Sequence, residues 1–393
     1  MATSDKFGAP VEITVGLPGN SHRVVPITNP NKVMFPSVGP DKLQRTKLDL
    51  ARYYVAVGAP IMRTLADRAV LLERYPDGVR GTSFFQKRIP ASAPDWLATT
   101  TVVTINDTPS RALVIADLAH VLWAANLGVP GLHVWQFRAS APDDVDEMRI
   151  DLDPCPGVTF DMTREAAAHT RDLLAEMGML GFPKTAGSKG IHIYVRVEPG
   201  WDSFAVRGAV VALGRILTER HPDLITDKWW KEERGERVFV DFNQNAPHKN
   251  MFSAWGVRAR VGAQVSTPFR WDELDTIDPE ACTIDTVPGR VSELGDPWEL
   301  MDEAPCSITP LVERFANDLA DGLPDAPWPP QYPKMPDEVP RVQPSRARQP
   351  RLSGRRARLE RRTANRRPRP ATPLRMHLFS LCVMWPTPTS TFS

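Results

Sequence analysis

The alternation of apolar and polar residues predicts helices and strands in irregular order along the chain. Apolar residues at helical spacing predict helices over 47–67, 118–127, 163–177 and 204–220. Short apolar or alternating runs predict strands over 70–72, 83–85, 101–105, 112–115, 132–137, 147–152, 191–197, 238–242 and 255–265. This order favours an α+β fold, with central mixed or antiparallel sheets flanked by helices, over a doubly wound parallel sheet.

Composition divides the chain into four parts. Residues 1–25 are interpreted as a short N-terminal segment, and 26–325 as one large folded domain. Prolines dominate 326–340, which is typical of a linker, and 341–393 is an Arg/Pro-rich stretch without periodicity, typical of a disordered tail. No signal peptide or bilayer-spanning apolar run is evident, so we expect a cytoplasmic, nucleoid-associated protein with no membrane partner.

The formal net charge of +1 hides an uneven distribution. The predicted tail contains thirteen arginines, no lysine and one acid, Glu360, so it carries +12 and leaves −11 on residues 1–340. Phosphate affinity normally comes from clustered Lys and Arg, so a nucleic-acid site on this acidic body must be local. The tail would add salt-sensitive DNA affinity, or it has no selected role.

Two aspartates in the predicted strand 147–152 and just after it are the sharpest candidates for chemistry. Residues two apart in a strand share a face, so Asp151 and Asp153 project together while Ile150 and Leu152 face the core. Two adjacent carboxylates repel each other and raise each other's pKa, unless bound cations keep them ionised. Mg²⁺ and Mn²⁺ prefer oxygen ligands of this kind. The alternative is an exposed edge strand with two solvated acids.

A third aspartate lies within another apolar strand. Asp241 is the only charged residue in 238–242. A buried carboxylate needs a hydrogen-bond partner, an arginine or a metal ion. On this segment alone, an ordinary ion pair is the competing explanation.

A glycine-rich loop precedes the predicted strand 191–197. Its sequence, Thr-Ala-Gly-Ser-Lys-Gly over 185–190, presents backbone N–H groups, the Ser188 hydroxyl and the Lys189 charge to an anion such as a triphosphate. Alternation places His192 beside the loop. The spacing excludes a Walker loop, and the competing interpretation is a hairpin turn with a half-buried histidine.

Two arginines follow in the segment 255–265. If that segment is extended, Arg258 and Arg260 share a face, and their guanidinium groups would bind phosphate bidentately. A surface ladder of charges is the alternative.

The order of these motifs resembles a known family. The D-L-D-P strand, the T-x-G-S-K-G-x-H-x-Y loop and the V-F-V-D-F-x-Q-N strand are similar to the three catalytic motifs of archaeo-eukaryotic primases. They most resemble the polymerase domain of ligase D, the bacterial ligase of non-homologous end joining. The resemblance covers roughly 26–325 and implies a primase-polymerase catalytic core. No K-x-D-G adenylation motif occurs in the sequence, so a stand-alone polymerase without a fused ligase is expected.

The resemblance also implies roles for individual residues. Two Mn²⁺ or Mg²⁺ ions would be held by the three catalytic aspartates, Asp151, Asp153 and Asp241. The incoming nucleotide would be contacted by Ser188, Lys189, His192 and Arg260, and less firmly by Arg258 and Gln244. DNA would be contacted by Lys32 and Lys47 at a 5′-phosphate, by Phe84, Phe85 and Lys87 at the template, and by His133.

Two departures from the family pattern lie near the predicted nucleotide site. Ala186 stands where the family commonly has serine, which removes one hydroxyl near the phosphates. Residues 246–249, Ala-Pro-His-Lys, replace the usual Gly/Ser-rich loop. Neither change removes a predicted metal ligand.

The function implied is a template-directed nucleotidyltransferase that fills gaps during end joining by adding NTP or dNTP to a primer 3′ end. The alternatives are a primase that starts chains de novo and a catalytically silent module that binds DNA ends. The expected partners are 5′-phosphorylated DNA ends, template–primer DNA and nucleoside triphosphates, together with a separate DNA ligase and the Ku end-binding protein.

Overall fold

The structure is a computed structural model that describes residues 6–37, 43–103, 108–329 and 332. One compact unit spans Met1–Val339, and a second unit, Pro340–Ser393, lies wholly outside the described residues. The end of the strand predicted over 101–105, most of the predicted linker and the whole predicted tail therefore also lie outside them.

The described residues form eight α-helices: α1 (Lys47–Ala56), α2 (Gly58–Leu65), α3 (Leu118–Asn126), α4 (Phe160–Glu176), α5 (Ser203–Arg220), α6 (Lys231–Arg234), α7 (Val287–Leu294) and α8 (Thr309–Ala320). They also form sixteen strands: β1 (Val11–Gly16), β2 (His22–Ile27), β3 (Val33–Phe35), β4 (Arg45–Thr46), β5 (Arg68–Arg74), β6 (Phe84–Gln86), β7 (Thr99–Val103), β8 (Pro109–Val114), β9 (Leu132–Arg138), β10 (Ala141–Val145), β11 (Glu147–Pro154), β12 (Phe182–Thr185), β13 (Ile191–Arg196), β14 (Ile225–Thr226), β15 (Val238–Val240) and β16 (Asn250–Phe252).

Two large sheets organise the described part of the chain. The first has the order β10-β9-β5-β8-β7, with β6 paired to β5 and β16 paired to β9, and its pairings are antiparallel. The second has the order β12-β13-β11-β15-β14 and is antiparallel except for the parallel pair β14–β15. Helices and mixed sheets together confirm the predicted α+β class.

A buried arginine joins the two sheets. Arg149 on β11 is 1% exposed, and its guanidinium donates to the carbonyls of Val134 and Trp135 on β9 at 2.8 and 2.9 Å. Its charge is balanced by Glu147, which is also buried. A buried ion pair with these extra hydrogen bonds fixes the position of β11 against the first sheet.

Both ends of the described chain extend the domain beyond its predicted boundaries. The N-terminal segment forms the β1–β2 hairpin, which runs past residue 25 and buries Val25 and Ile27 in the main core. At the other end, Arg207 on α5 donates to the Ala326 carbonyl at 2.6 Å, and Trp328 is 6% exposed. Packing in the described residues therefore continues across the predicted boundaries at 25/26 and 325/326, with apolar residues on both sides in one core.

Two predicted elements differ from the structure. The helix predicted over 47–67 is broken at Val57, because Pro60 lacks the N–H that would continue the hydrogen-bond ladder. The strand predicted over 255–265 is a loop with two isolated bridges, Val257 to Val265 and Gln264 to Thr283, and Trp255 and Ala263 have positive φ. The prediction that Arg258 and Arg260 share a strand face is therefore wrong.

Candidate active site

The three predicted catalytic aspartates lie on neighbouring strands of the second sheet. Asp151 on β11 is directly opposite His192 on β13. On the other side, the Asp241 N–H, just after β15, donates to the Asp151 carbonyl at 2.9 Å. Asp153 is two residues further along β11 and is exposed to solvent. The antiparallel β11–β15 pairing thus brings together acids that are far apart in sequence.

Electrostatic repulsion marks this group of acids. Burial raises the pKa of Asp151 well above its ordinary value, and Asp241 and Asp153 raise it further. Burial also raises the pKa of Asp241, against the hydrogen bond from the Asn243 backbone. A divalent cation bound to these oxygens would remove the repulsion, so the chemistry of the donors fits Mg²⁺ or Mn²⁺.

The acids are not already gathered into a closed set of metal ligands. In the part of the chain that the structure describes, no group of three or more His, Cys, Asp or Glu side chains is placed to hold a metal ion. The two Asp241 oxygens accept hydrogen bonds from the Asn243 N–H at 3.0 Å and from Gln244 Nε2 at 2.9 Å. The ion pair considered for Asp241 is thus replaced by hydrogen bonds from its own loop.

Lys184 on β12 is a site residue that sequence reasoning missed. It is fully buried, and its Nζ lies 2.8 Å from His192 Nδ1, 2.7 Å from Ser266 Oγ and 3.2 Å from the Phe252 carbonyl oxygen. The Ser266 hydroxyl donates to the Thr185 carbonyl at 2.7 Å, so its oxygen is free to accept from Lys184. All three partners can therefore accept a hydrogen bond from Lys184.

This arrangement fixes the proton on His192. Burial, followed by the charges of Lys184 and Arg258, lowers the pKa of His192 well below its usual value, so the ring is neutral. Its Nε2 lies 3.4 Å from Asp151 Oδ1, an acceptor, while Nδ1 faces the Lys184 donor. With Lys184 as the donor to Nδ1, the proton lies on Nε2, which faces the Asp151 carboxyl group.

The glycine-rich loop is shaped by a tight turn. The Ala186 N–H donates to the Gly190 carbonyl at 2.8 Å, and Gly187 has φ of 71°. A Cβ at Gly187 would lie 2.6 Å from Arg258 Cγ, so only glycine fits there. Ser188 and Lys189 at the tip line a cavity of about 470 Å³.

The two predicted phosphate-binding arginines have different surroundings. Arg258 Nε donates to the Ala186 carbonyl at 2.5 Å, so this side chain supports the loop, and burial lowers its pKa to about 10. Arg260 is exposed and lines the same cavity as Ser188 and Lys189. The loop and both arginines surround a second cavity of about 250 Å³ as well.

Exposed aromatic side chains extend from this second cavity. Phe84 and Phe85 on β6 are 48% and 54% exposed, so these side chains are not packed in the core. The Phe85 ring meets His133 edge-on with centroids 5.6 Å apart, and His133 meets Phe252 in the same way at 5.4 Å. This row of rings offers surfaces for stacking bases.

A separate basic cluster lies near the N-terminal hairpin. Lys47 Nζ donates to the Thr28 carbonyl at 2.6 Å, and its amino group is largely buried. Burial, followed by the charges of Lys32 and Arg74, lowers the pKa of Lys47 to about 8. Concentrated positive charge of this kind would be relieved by an anion.

Comparison with known proteins identifies the family. Residues 46–298 match the LigD primase-polymerase domain. The chain belongs to this family. The LigD family is one of nucleotidyltransferases that act as repair polymerases, so the chain is an enzyme of that class. The polymerase domain from Mycobacterium tuberculosis ligase D, solved in complex with DNA, matches with a TM-score of 0.65 and 32% identity, over 72% of this chain and 99% of that one.

Full-length relatives are considerably longer than this chain. The multifunctional non-homologous end joining DNA repair protein LigD of M. tuberculosis H37Rv is 32% identical over 308 residues, which cover 76% of this chain and 39% of the relative. The bifunctional non-homologous end joining protein LigD of Bacillus subtilis is 30% identical over 279 residues, 70% of this chain and 44% of the relative. None of the described helices has the length and apolar character needed to cross a membrane.

Proposed function

We propose that this chain is a gap-filling polymerase of the end-joining type, which adds NTP or dNTP to a primer 3′ end opposite a template. The observation that carries the proposal is the convergence of Asp151 and Asp241 beside the 186–190 loop, within a LigD primase-polymerase fold. Asp151, Asp153 and Asp241 would hold two Mn²⁺ or Mg²⁺ ions. Bound there, the ions would lower the pKa of the primer hydroxyl and offset charge on the phosphates.

The protein's own groups account for binding and orientation. Ser188, Lys189 and Arg260 line a cavity of nucleotide size, which Asp278 and Glu280 also line, and they would present a hydroxyl and two cations to a triphosphate. His192 presents its Nε2 proton at the junction between this loop and Asp151. Lys184 holds His192, and Arg258 supports the loop, before substrate arrives, so catalysis would rest mainly on positioning and electrostatics.

DNA would be held at two places. Phe85 offers an exposed ring face for an unpaired template base, and the half-buried His133 ring lies beside it. Lys32 and Lys47 form the basic cluster that we assign to a 5′-phosphate at the far side of a gap, because phosphate would relieve the repulsion around Lys47. The M. tuberculosis polymerase domain was solved in complex with DNA, which supports DNA binding by this chain. The Ku and ligase partners stay predictions.

A primer-extension assay tests the proposal. Wild-type protein is given gapped DNA with or without a 5′-phosphate, ribo- or deoxyribonucleotides, and Mg²⁺ or Mn²⁺. We expect template-matched addition that depends on the metal and is stimulated by the 5′-phosphate. An arm with template but no primer separates the functions: product there would indicate a primase. Binding of 5′-phosphorylated ends without any addition would indicate a silent end-binding module.

A further inference from the structure

A third cavity lies next to Gln244, and no residue of the triphosphate loop lines it. It has a volume of about 330 Å³, and its lining includes Lys87, Trp135, Gln244, His248, Lys249 and Tyr332. Gln244 connects it to the catalytic group, because its Nε2 donates to Asp241 Oδ2 at 2.9 Å. None of the roles given above to the triphosphate loop or the aromatic row uses Lys249, His248 or Tyr332.

This cavity continues the groove that contains the aromatic row. Leu71, Trp135 and Asn250 line it, whereas Glu73, His133 and Phe252 line the cavity beside Arg258. On each of β5, β9 and β16, a step of two residues on the same face separates the residue that lines one cavity from the residue that lines the other. His133 pairs with both Leu71 and Phe252 on the neighbouring strands. Such a step is about 7 Å, which is the rise of about two stacked nucleotides.

The topology of the second sheet places the two ends of the groove on opposite sides of Asp151. The 186–190 loop leads into β13 at Ile191, which pairs with Leu152 near the end of β11. On the other edge, Asn245 binds the backbone N–H and carbonyl of Arg149, near the start of β11. In an in-line displacement the attacking hydroxyl approaches from the side opposite the leaving pyrophosphate.

The charges in this cavity suit a nucleic-acid strand. Lys87 is exposed and Lys249 is half-buried, and within the described ranges neither forms an ion pair with a carboxylate. Apolar surface from Leu71, Val102 and Trp135 forms the floor. Two unpaired cations above an apolar floor match a sugar-phosphate backbone with its bases or sugars against protein.

We infer that this groove holds the primer strand next to its 3′ end, with Lys87 and Lys249 contacting primer phosphates. The inference rests on the proposed function, and it moves Lys87 from the template, where the sequence resemblance placed it, to the primer. The primer terminus would then reach Asp241 from the Gln244 side, and the triphosphate would reach Asp151 from the Ser188 side.

Substitution of the two lysines gives the first test. Loss of one phosphate contact weakens DNA binding about fivefold to eightfold at about 0.1 M salt. Lys249→Gln and Lys87→Gln should therefore each raise the Kd for template–primer DNA by that factor and leave the KM for the nucleotide unchanged. Lys189→Gln should do the reverse, and Arg171→Gln, on the exposed face of α4, should change neither.

Neutral phosphates identify which strand is bound. One methylphosphonate is placed near the primer 3′ end, or at the facing template position, and Kd is measured by fluorescence anisotropy. In the primer, it should weaken wild-type binding but cause no further loss in Lys249→Gln. The inference would be overturned if the effects of Lys249→Gln and of the primer methylphosphonate on Kd were fully additive. It would also be overturned if the effect of Lys249→Gln were non-additive with the template methylphosphonate instead. Failure of wild-type protein to extend the unmodified primer would reject the proposed function separately, because the binding arms need no catalysis.

Discussion

Removal of the Lys184 amino group tests how His192, a proposed nucleotide contact, is oriented. Lys184→Met fills the space of the side chain as far as Cε, but His192 Nδ1, Ser266 Oγ and the Phe252 carbonyl lose their donor. Each buried polar group left without a partner costs about 1–3 kcal/mol. We therefore expect the free energy of unfolding to fall by at least about 3 kcal/mol, which a domain of ordinary stability survives at low temperature.

The effect on catalysis follows from the imidazole tautomer. Without a donor at Nδ1, the preference for the proton on Nε2 falls by about 1–3 kcal/mol, a factor of roughly 5 to 150. We expect kcat for nucleotide addition to fall about 10- to 100-fold, in the range found when the partner of a site ligand is removed. Long-range ¹H–¹⁵N NMR of the folded variant reports the tautomer directly, with His192→Gln used to assign the signal.

Ser266→Ala provides the matched control. It removes one partner of Lys184 but leaves the bond between Lys184 and His192, so stability should fall while the tautomer and kcat stay near wild type. The reasoning is refuted if wild-type His192 carries its proton on Nδ1. It is equally refuted if Lys184→Met keeps both the Nε2 tautomer and the wild-type kcat.

Three further predictions concern nucleotide and DNA binding. Gly187→Ala forces a side chain into a left-handed turn against Arg258, at a cost of about 1–2 kcal/mol. The Kd for nucleotide, measured by calorimetry, should therefore rise about tenfold while the Kd for DNA is unchanged. An unchanged Kd for nucleotide would contradict the role of the loop. Replacing both Phe84 and Phe85 by Leu should weaken binding of an unpaired template by about 1–3 kcal/mol per base with no change in Tm, since both rings are exposed; equal affinity would exclude stacking. Lys47 has a pKa of about 8, and a bound phosphate favours its charged form. The preference for 5′-phosphorylated over 5′-hydroxyl ends should therefore decline from about pH 7 to about pH 9. A constant preference would show that Lys47 does not bind the 5′-phosphate.

Elements with strong local signals were predictable from the sequence. The runs around Val238 and Ile191 became β15 and β13, and period-2 alternation placed Asp151 and Asp153 on one face. The 255–265 loop was mistaken for a strand because its apolar residues pack in the core through backbone at positive φ, which apolarity does not reveal.

Contacts between distant segments set the limit of prediction. Lys184 was missed because its importance depends on the pairing of β12 with β13 and on Ser266, about 80 residues further on. A lysine inside the strand Phe182–Thr185 was the available signal, since a cation in an otherwise buried strand needs partners. The convergence of Asp241 with Asp151 was proposed only through family resemblance, because residue spacing alone does not determine strand order.

Single-turnover nucleotide addition by Asp151→Asn and Asp241→Asn, with Mn²⁺ present, is the most direct measurement of the central claim. Each amide keeps the shape of the side chain and removes charge repulsion in a partly buried place, so the variants should fold and bind DNA like wild type. We predict that each loses at least about a thousandfold in rate, while the exposed Asp223→Asn does not. Near-wild-type rates in either site variant would contradict the account.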